Sequence, residues 1–141
     1  MEKDVLVSVS GVHSDDQPGD AVEVLLPGEY YNKNGTHYVM YEQYDEEAKS
    51  LLKNIIKVKN NSVELKKTGF ANVRMFFEKN RNNTSYYEMD HGSMLIETKT
   101  GEVMIDIQEH KMNIDLEYEL YINEQFVSDS TVHIKVVEKN V

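Results

Sequence analysis

The apolar residues of this chain recur mostly at every second position, from Val5 to Val137, between short turn-like breaks. A period of two is typical of β-strands with one buried and one wet face, because successive side chains of a strand point to opposite sides. The alternation is sharpest at residues 113–122, where Ile114, Leu116, Tyr118, Leu120 and Ile122 alternate with Asn113, Asp115, Glu117 and Glu119. We therefore expect an all-β protein, with this apolar series in the core and the acidic series in solvent.

Turn signals divide the chain into about ten strands. Asn34-Gly35 is the strongest hairpin signal, and Thr68-Gly69, His91-Gly92 and Thr100-Gly101 are further breaks. Gly92 is expected in a tight turn, with Tyr86 and Tyr87 on opposite faces of the strand before it. The predicted strands lie near residues 4–13, 21–32, 36–44, 62–67, 70–79, 84–91, 93–99, 102–110, 112–122 and 126–138.

Residues 45–59 are compatible with two structures on pattern alone. Asp45 could cap a helix whose apolar face holds Leu51, Leu52, Ile55 and Ile56. The alternative is a polar loop at residues 45–50, followed by a strand that ends at Lys59.

Consecutive strands joined by short turns predict an antiparallel meander. So many strands in one open layer would leave two long edges, and closure into a barrel removes them. We therefore predict one domain, residues 1–141, folded as an up-and-down antiparallel β-barrel of roughly eight to ten strands. A two-sheet sandwich is the second choice.

Composition and motifs exclude several classes of function. The net charge is −10 and the densest basic group, Lys53, Lys57, Lys59, Lys66 and Lys67, is interpreted as a solvated strand face, so neither nucleic acid nor a membrane is an expected partner. There is no cysteine, no metal-binding histidine pair, no nucleophile elbow and no phosphate-binding glycine loop. We expect no catalytic residues, no metal and no cofactor. With no signal peptide or apolar transmembrane run in the sequence, a cytoplasmic location is expected.

Several short blocks resemble the YwiB-like family of bacterial proteins of uncharacterised function. They are Lys67-Thr68-Gly69, Val73 to Phe77, Thr84-Ser85-Tyr86-Tyr87-Glu88, Gly92-Ser93-Met94-Leu95, Glu97 to Thr100, Glu117 to Leu120, and Asn123 with Phe126-Val127-Ser128. The resemblance covers roughly residues 3–137. It implies a lipocalin-like β-barrel of the calycin group, and it favours a strand for residues 51–59. The chain departs from many relatives at Met89-Asp90-His91-Gly92, where they carry Thr-Pro before the glycine.

The aromatic and methionine content is the feature with binding potential. Nine tyrosines and seven methionines suit either a ligand pocket or ordinary barrel packing. The candidate ligand-binding residues of the barrel interior are Arg74, Met75, Phe77, Tyr86, Tyr87 and Tyr118. Arg74 alternates with Met75 and Phe77, which favours the outer face. An inward Arg74 would need an acidic partner or a ligand anion.

Two functions of different classes follow from these residues. The first is a non-enzymatic barrel that binds a small, mostly apolar ligand in its interior, as the lipocalin-like resemblance also implies. The alternative is an interaction protein with a side-chain-filled barrel and a partner-binding surface, and a homodimer is left open. A cavity of ~300 Å³ or more would favour the first function.

Overall fold

Ten antiparallel strands form one sheet that closes into a barrel. In the computed structural model, which describes residues 1–13 and 22–139, every strand pairs with its neighbours in the chain, and β1 also pairs with β10. The strands are β1 (Asp4–His13), β2 (Val22–Lys33), β3 (Thr36–Asp45), β4 (Ser50–Lys59), β5 (Ser62–Thr68), β6 (Ala71–Glu78), β7 (Arg81–Met89), β8 (Gly92–Ile107), β9 (Lys111–Ile122) and β10 (Gln125–Glu138). The predicted up-and-down barrel is confirmed. Across the described residues, no helix is long and apolar enough to cross a membrane.

The hairpin turns follow the local sequence signals. Asn34 and Gly35 both have positive φ, 53° and 82°, and link the paired residues Lys33 and Thr36. This is the backbone of a type I′ turn, whose twist matches that of the two strands. The Asp90-His91 turn joins β7 to β8, and Gly92 begins β8 with a φ of 137°. The Asn34-Gly35 turn is confirmed, whereas the turn predicted at Gly92 is formed by Asp90 and His91, one position earlier.

Residues 45–59 form a turn followed by a strand. The carboxylate of Asp45 accepts a hydrogen bond from the backbone N–H of Ala48 at 2.9 Å, and Lys49 has a φ of 51°. These features close a tight turn between β3 and β4 in place of a helical first turn. The loop-and-strand alternative is therefore right, and the helix alternative is wrong.

The predicted break at Thr100-Gly101 is wrong, because Gly101 forms a β-bulge inside one long strand, β8. Thr100 pairs with Tyr118 and Glu102 pairs with Glu117, so Gly101 is an extra residue with no partner of its own on β9. Even-numbered residues face inward before the bulge and odd-numbered residues after it. This change of phase interrupts the period of two in the sequence, and the interruption was interpreted as a turn between two strands.

Large apolar side chains fill the barrel toward the end at which β1, β3 and β5 begin, which we call the core end. The opposite end is called the cavity end. Phe77, Met112, Ile114 and Val5 are fully buried. The core cluster consists of Val5, Val7, Tyr30, Val39, Ile56, Val58, Val63, Phe77, Met112, Ile114, Leu116, Ile134 and Val136.

Hydrogen bonds from the N-terminal segment and two histidines close the core end. The carboxylate of Glu138, 5% exposed, accepts from the backbone N–H of Glu2 at 2.8 Å and from Nδ1 of His110 at 2.9 Å. The hydroxyl of Tyr30 and Nδ1 of His37 share a hydrogen bond of 2.6 Å. Burial and the nearby N-terminal ammonium lower the pKa of His37, which favours its neutral ring.

Replacement of Leu116 by Ala should destabilise the protein by roughly 2–5 kcal/mol, because this side chain is fully buried. The adjacent Glu117 is exposed, as predicted for the acidic face, so Glu117→Ala should change stability by about 0.5 kcal/mol or less. Urea unfolding of both variants measures the difference. A larger loss for Glu117→Ala would contradict this assignment of the two faces of β9.

Glu138 should make the stability of the barrel depend on acidity. The hydrogen bond from Glu2 and the interactions with His110 lower the pKa of its carboxyl below the ordinary value of 4.5. A carboxylate whose pKa is lower in the folded state than in the unfolded state stabilises the fold at pH values above its unfolded-state pKa. This stabilisation is lost as the pH falls through the folded-state pKa. The free energy of unfolding should therefore decrease less steeply in Glu138→Gln than in the wild type as the pH is lowered. The measurement starts at a pH of about 6, which is above the ordinary range of carboxyl pKa values. The exposed Glu117→Gln serves as control, and equal slopes for wild type and Glu138→Gln would refute the assignment.

Candidate functional site

The barrel interior contains a cavity of about 340 Å³ at the cavity end, above the buried core. Its walls are mainly apolar, because the inward positions of five strands, β1, β4, β5, β6 and β10, carry aliphatic side chains or Met75. The apolar lining consists of Val9, Ile56, Leu65, Val73, Met75, Val132 and Ile134. Such a volume lies at the lower end of the range for pockets that enclose small molecules (~300–1,000 Å³).

Polar residues interrupt the apolar wall, and three of them form a cross-strand row, while Gln43, Lys66 and Tyr118 also line the cavity. Tyr41 on β3 pairs with Asn54 on β4, and Asn54 pairs with Lys67 on β5. All three line the cavity. Because directly opposed residues on one face of an antiparallel sheet have Cβ atoms about 4.5–5.5 Å apart, the three side chains are neighbours on the inner face, and Asn54 forms no hydrogen bond with either of the other two.

Asn54 is the most constrained member of this polar row. Its side chain is buried, with 2% of the residue exposed. Neither its Oδ1 nor its Nδ2 has a hydrogen-bond partner anywhere in the described part of the chain. A buried amide without partners costs about 1–3 kcal/mol of desolvation free energy. This side chain therefore presents one free donor and one free acceptor to the cavity.

Lys67 lies at the rim, exposed to solvent, and continues the row toward β6. Val63 and Leu65 of the same strand pack into the interior, so Lys67 also lies on the inner face. Burial of part of the side chain lowers the pKa of its ammonium group. No carboxylate of the described residues forms an ion pair with it. Burial also raises the pKa of Tyr41, which keeps its hydroxyl protonated as a donor.

Tyr118 forms the opposite wall of the cavity. Its ring contacts Phe77, with 4.8 Å between the ring centroids. Burial raises the pKa of Tyr118, against a smaller lowering effect of its hydrogen bond with Ser130. Ser130 in turn shares a hydrogen bond of 3.1 Å with Ser128. The hydroxyl groups of this wall are therefore already hydrogen-bonded, unlike Asn54.

Three larger depressions open on the outer surface of the barrel. One, of about 560 Å³, crosses the Gly101 bulge and is lined by charged residues such as Lys99 and Glu119. The second, of about 510 Å³, is lined mainly by residues of β2, β3 and β4. The third, of about 430 Å³, lies along β5, β6 and β7. All three are more open to solvent, so the interior cavity is the better enclosed candidate. In residues 1–13 and 22–139, no cluster of three His, Asp or Glu residues could hold a metal ion.

A family model described as "Domain of unknown function (DUF1934)" matches residues 7–134. The chain belongs to the DUF1934 family. It is 25% identical over 125 residues to the uncharacterized beta-barrel protein YwiB of Bacillus subtilis (strain 168), a match that covers 89% of this chain and 87% of YwiB. This confirms the predicted YwiB-like resemblance. The family and this relative are both described without a known function.

A solved crystal structure shares this fold. The crystal structure of the ywiB protein from Bacillus subtilis superposes with a TM-score of 0.85 at 21% identity, covering 96% of this chain and 92% of the other. At this identity the likeness establishes the fold alone. The assignment of a site in this DUF1934 member therefore depends on its own side chains.

The candidate residues predicted for the barrel interior divide into two groups. Met75 and Tyr118 line the cavity, Phe77 lies beneath it in the core, and Tyr87 is half-buried on the inner face of β7. Arg74 and Tyr86 lie on the outer face, so their inclusion was wrong. Arg74 is bound to Glu64, with Nη2 and Oε1 2.6 Å apart, and stacks on the Phe76 ring.

The contrast between the two adjacent tyrosines is confirmed. Tyr86 is 60% exposed, whereas Tyr87 is half-buried. Ser85 pairs with the inward-facing Ile96, and Met89 pairs with the inward-facing Ala71. Because side chains of a strand alternate, Tyr87 shares the inner face with these two residues and Tyr86 lies on the outer face.

The sequence analysis did not single out the polar row of this DUF1934 member. Lys67 was grouped with the solvated lysines, but the adjacent Lys66 lies on the outer face and two consecutive strand residues cannot share a face. Asn54 precedes Ile56 and Val58 at spacings of two, which places it in the buried register. A search for polar residues in phase with apolar ones would have found both.

Replacement of Asn54 by Leu should stabilise the ligand-free protein by about 1–3 kcal/mol, because the change removes a buried amide without partners at similar volume. Asn72→Leu is the matched control: Asn72 is exposed on β6, so the change should stay within about 0.5 kcal/mol. Chemical denaturation of the delipidated proteins measures both effects. A strongly destabilised Asn54→Leu would mean that the amide has partners that hold the fold together.

Proposed function

We propose that this protein is a non-enzymatic binding protein that holds a small, mostly apolar ligand inside its barrel. The observation that carries the proposal is the cavity of about 340 Å³, with apolar walls and one buried amide free to bind. Ligand pockets commonly combine such apolar walls with a few polar groups that fix orientation.

The size of the barrel supports this function. Eight strands enclose an interior that side chains can just fill, and the diameter grows with strand number. Here ten strands form the ring. Phe77 and Met112 fill the core end of the wider interior, while Val9, Val73 and Val132 line the cavity end without filling it.

The composition of the cavity wall supports binding over catalysis. Among its described lining residues there is no Ser, Cys, His, Asp or Glu. Nucleophilic catalysis needs a nucleophile beside a positioned base, and paired carboxylates need a shared pocket. The tyrosines, the amide and the lysine of this wall are suited to hydrogen bonding with a ligand.

The alternative function, a filled barrel that acts through a partner-binding surface, requires an interior occupied by side chains. Only the core end meets that requirement among the described residues. Exposed apolar side chains do occur outside, as in the cross-strand pair of Tyr44 and Leu51, 59% and 48% exposed. They do not account for a buried amide that faces an internal space. The cavity therefore favours the ligand-binding function.

Binding of the neutral fluorescent probe N-phenylnaphthylamine tests the proposal. The delipidated wild type should enhance the fluorescence of the probe, because the apolar cavity excludes water from it. Val73→Trp places a large ring in the cavity and should weaken binding several-fold, since Val73 lines the cavity wall. Native mass spectrometry of the protein before delipidation should show a bound small molecule.

Asn72→Trp is the matched control, because it places the same ring on the exposed face of the same strand. Its probe affinity should equal that of the wild type. Circular dichroism confirms that each variant retains the β fold. If the wild type gave no fluorescence enhancement, or if Asn72→Trp and Val73→Trp weakened binding equally, the interior would not be the binding site.

A further inference from the structure

We infer that the ligand of this barrel carries a carboxylate, which binds at the row formed by Tyr41, Asn54 and Lys67 while its apolar part contacts Met75 and Val132. This inference rests on the proposed function and names the ligand class that the same cavity would accept. Unbranched aliphatic carboxylic acids of medium chain length are the simplest compounds of this description.

The backbone register places three hydrogen-bond donors side by side. Tyr41 and Lys67 flank Asn54 as its cross-strand partners on β3 and β5. The row therefore offers a phenolic O–H, an amide N–H and an ammonium within the reach of one small group. A carboxylate has two oxygens that accept several hydrogen bonds, so it matches a row composed mainly of donors.

Charge distinguishes a carboxylate from other head groups. Lys67 is a cation at an apolar cavity, and the described residues provide no carboxylate to pair with it. A cationic ligand would be repelled, and a neutral one would gain no attraction from the ammonium group. An anion supplies the missing partner, and hydrogen bonds that involve a charged group are roughly twice as strong as neutral ones.

Asn54 adds orientation to the charge of Lys67. Its Nδ2 can donate to the carboxylate from a position at which the described chain offers no competing acceptor. Its Oδ1 is then available to a hydroxyl or N–H group that the ligand carries beside the carboxylate. Binding would satisfy atoms that are buried without partners in the free protein, so their desolvation cost would be recovered on binding.

The remaining walls define the other part of the ligand. Leu65, Val73, Met75, Val132 and Ile134 surround the space next to the row and carry no charge. Met75 can adapt its flexible side chain to an aliphatic tail. The volume of about 340 Å³ limits the tail to medium length.

Displacement of N-phenylnaphthylamine by decanoate and by decanol tests the inference, since the two compounds share a tail and differ in the head group. The wild type should prefer decanoate about tenfold, the factor that corresponds to one charged hydrogen bond of ~1.4 kcal/mol. Lys67→Met should lose this preference while its affinity for decanol is retained. Asn54→Leu should reduce the preference in the same direction.

Lys53→Met is the matched control, because Lys53 is an exposed lysine next to Asn54 on the outer face of β4 and does not line the cavity. It should keep the wild-type preference for decanoate. Equal affinity of the wild type for decanoate and decanol would overturn the inference and leave the proposed function intact. An equal loss in Lys53→Met and Lys67→Met would also overturn it, because the effect would then be a general surface attraction. Failure of the probe and both compounds to bind would refute the proposed function, and the carboxylate site with it.

Discussion

Pairing of β1 with β10 closes the sheet and joins the two ends of the chain, from Val5 opposite Glu138 to His13 opposite Ser130. Once this ladder forms, the ten strands close into one ring, in which β6 and β7 pair only through Ala71 with Met89 and Asn72 with Glu88, and the inward side chains share one interior. The circumference is then set by the strands rather than by the side chains. Whether the interior is filled depends on the size of the residues at each level, and the answer differs between the core end and the cavity end.

The cavity end combines features that lower the stability of an empty barrel. An amide is buried without partners at Asn54, and the space above Phe77 lacks side chains. An apolar core of the same shape would avoid the desolvation cost of the amide. Departures of this kind from good packing and polar pairing are expected at binding sites, because groups left unsatisfied by the fold are available to a ligand.

Local sequence rules predicted much of the fold and less of the site. The period of two located the strands, and Asn34-Gly35 located its turn, because both depend on neighbouring residues. The bulge at Gly101 was missed since its evidence is a pairing with β9, which is distant in sequence. Tyr41, Asn54 and Lys67 lie on three different strands and become a row only through register. Arg74 and Tyr86 were misplaced because residue type was weighted above alternation.

The core end and the cavity end are built from the same strands. On β4, Val58 belongs to the core and Asn54 to the cavity wall, and on β6 Phe77 and Val73 divide the roles in the same way. Each lining residue is thus held by a backbone that is fixed a few positions away. A wall of this kind is preorganised, so that a ligand would lose its own freedom on entry but would order little of the protein. Such a barrel could exchange its lining side chains, and with them its ligand, while the framework that positions them stays the same.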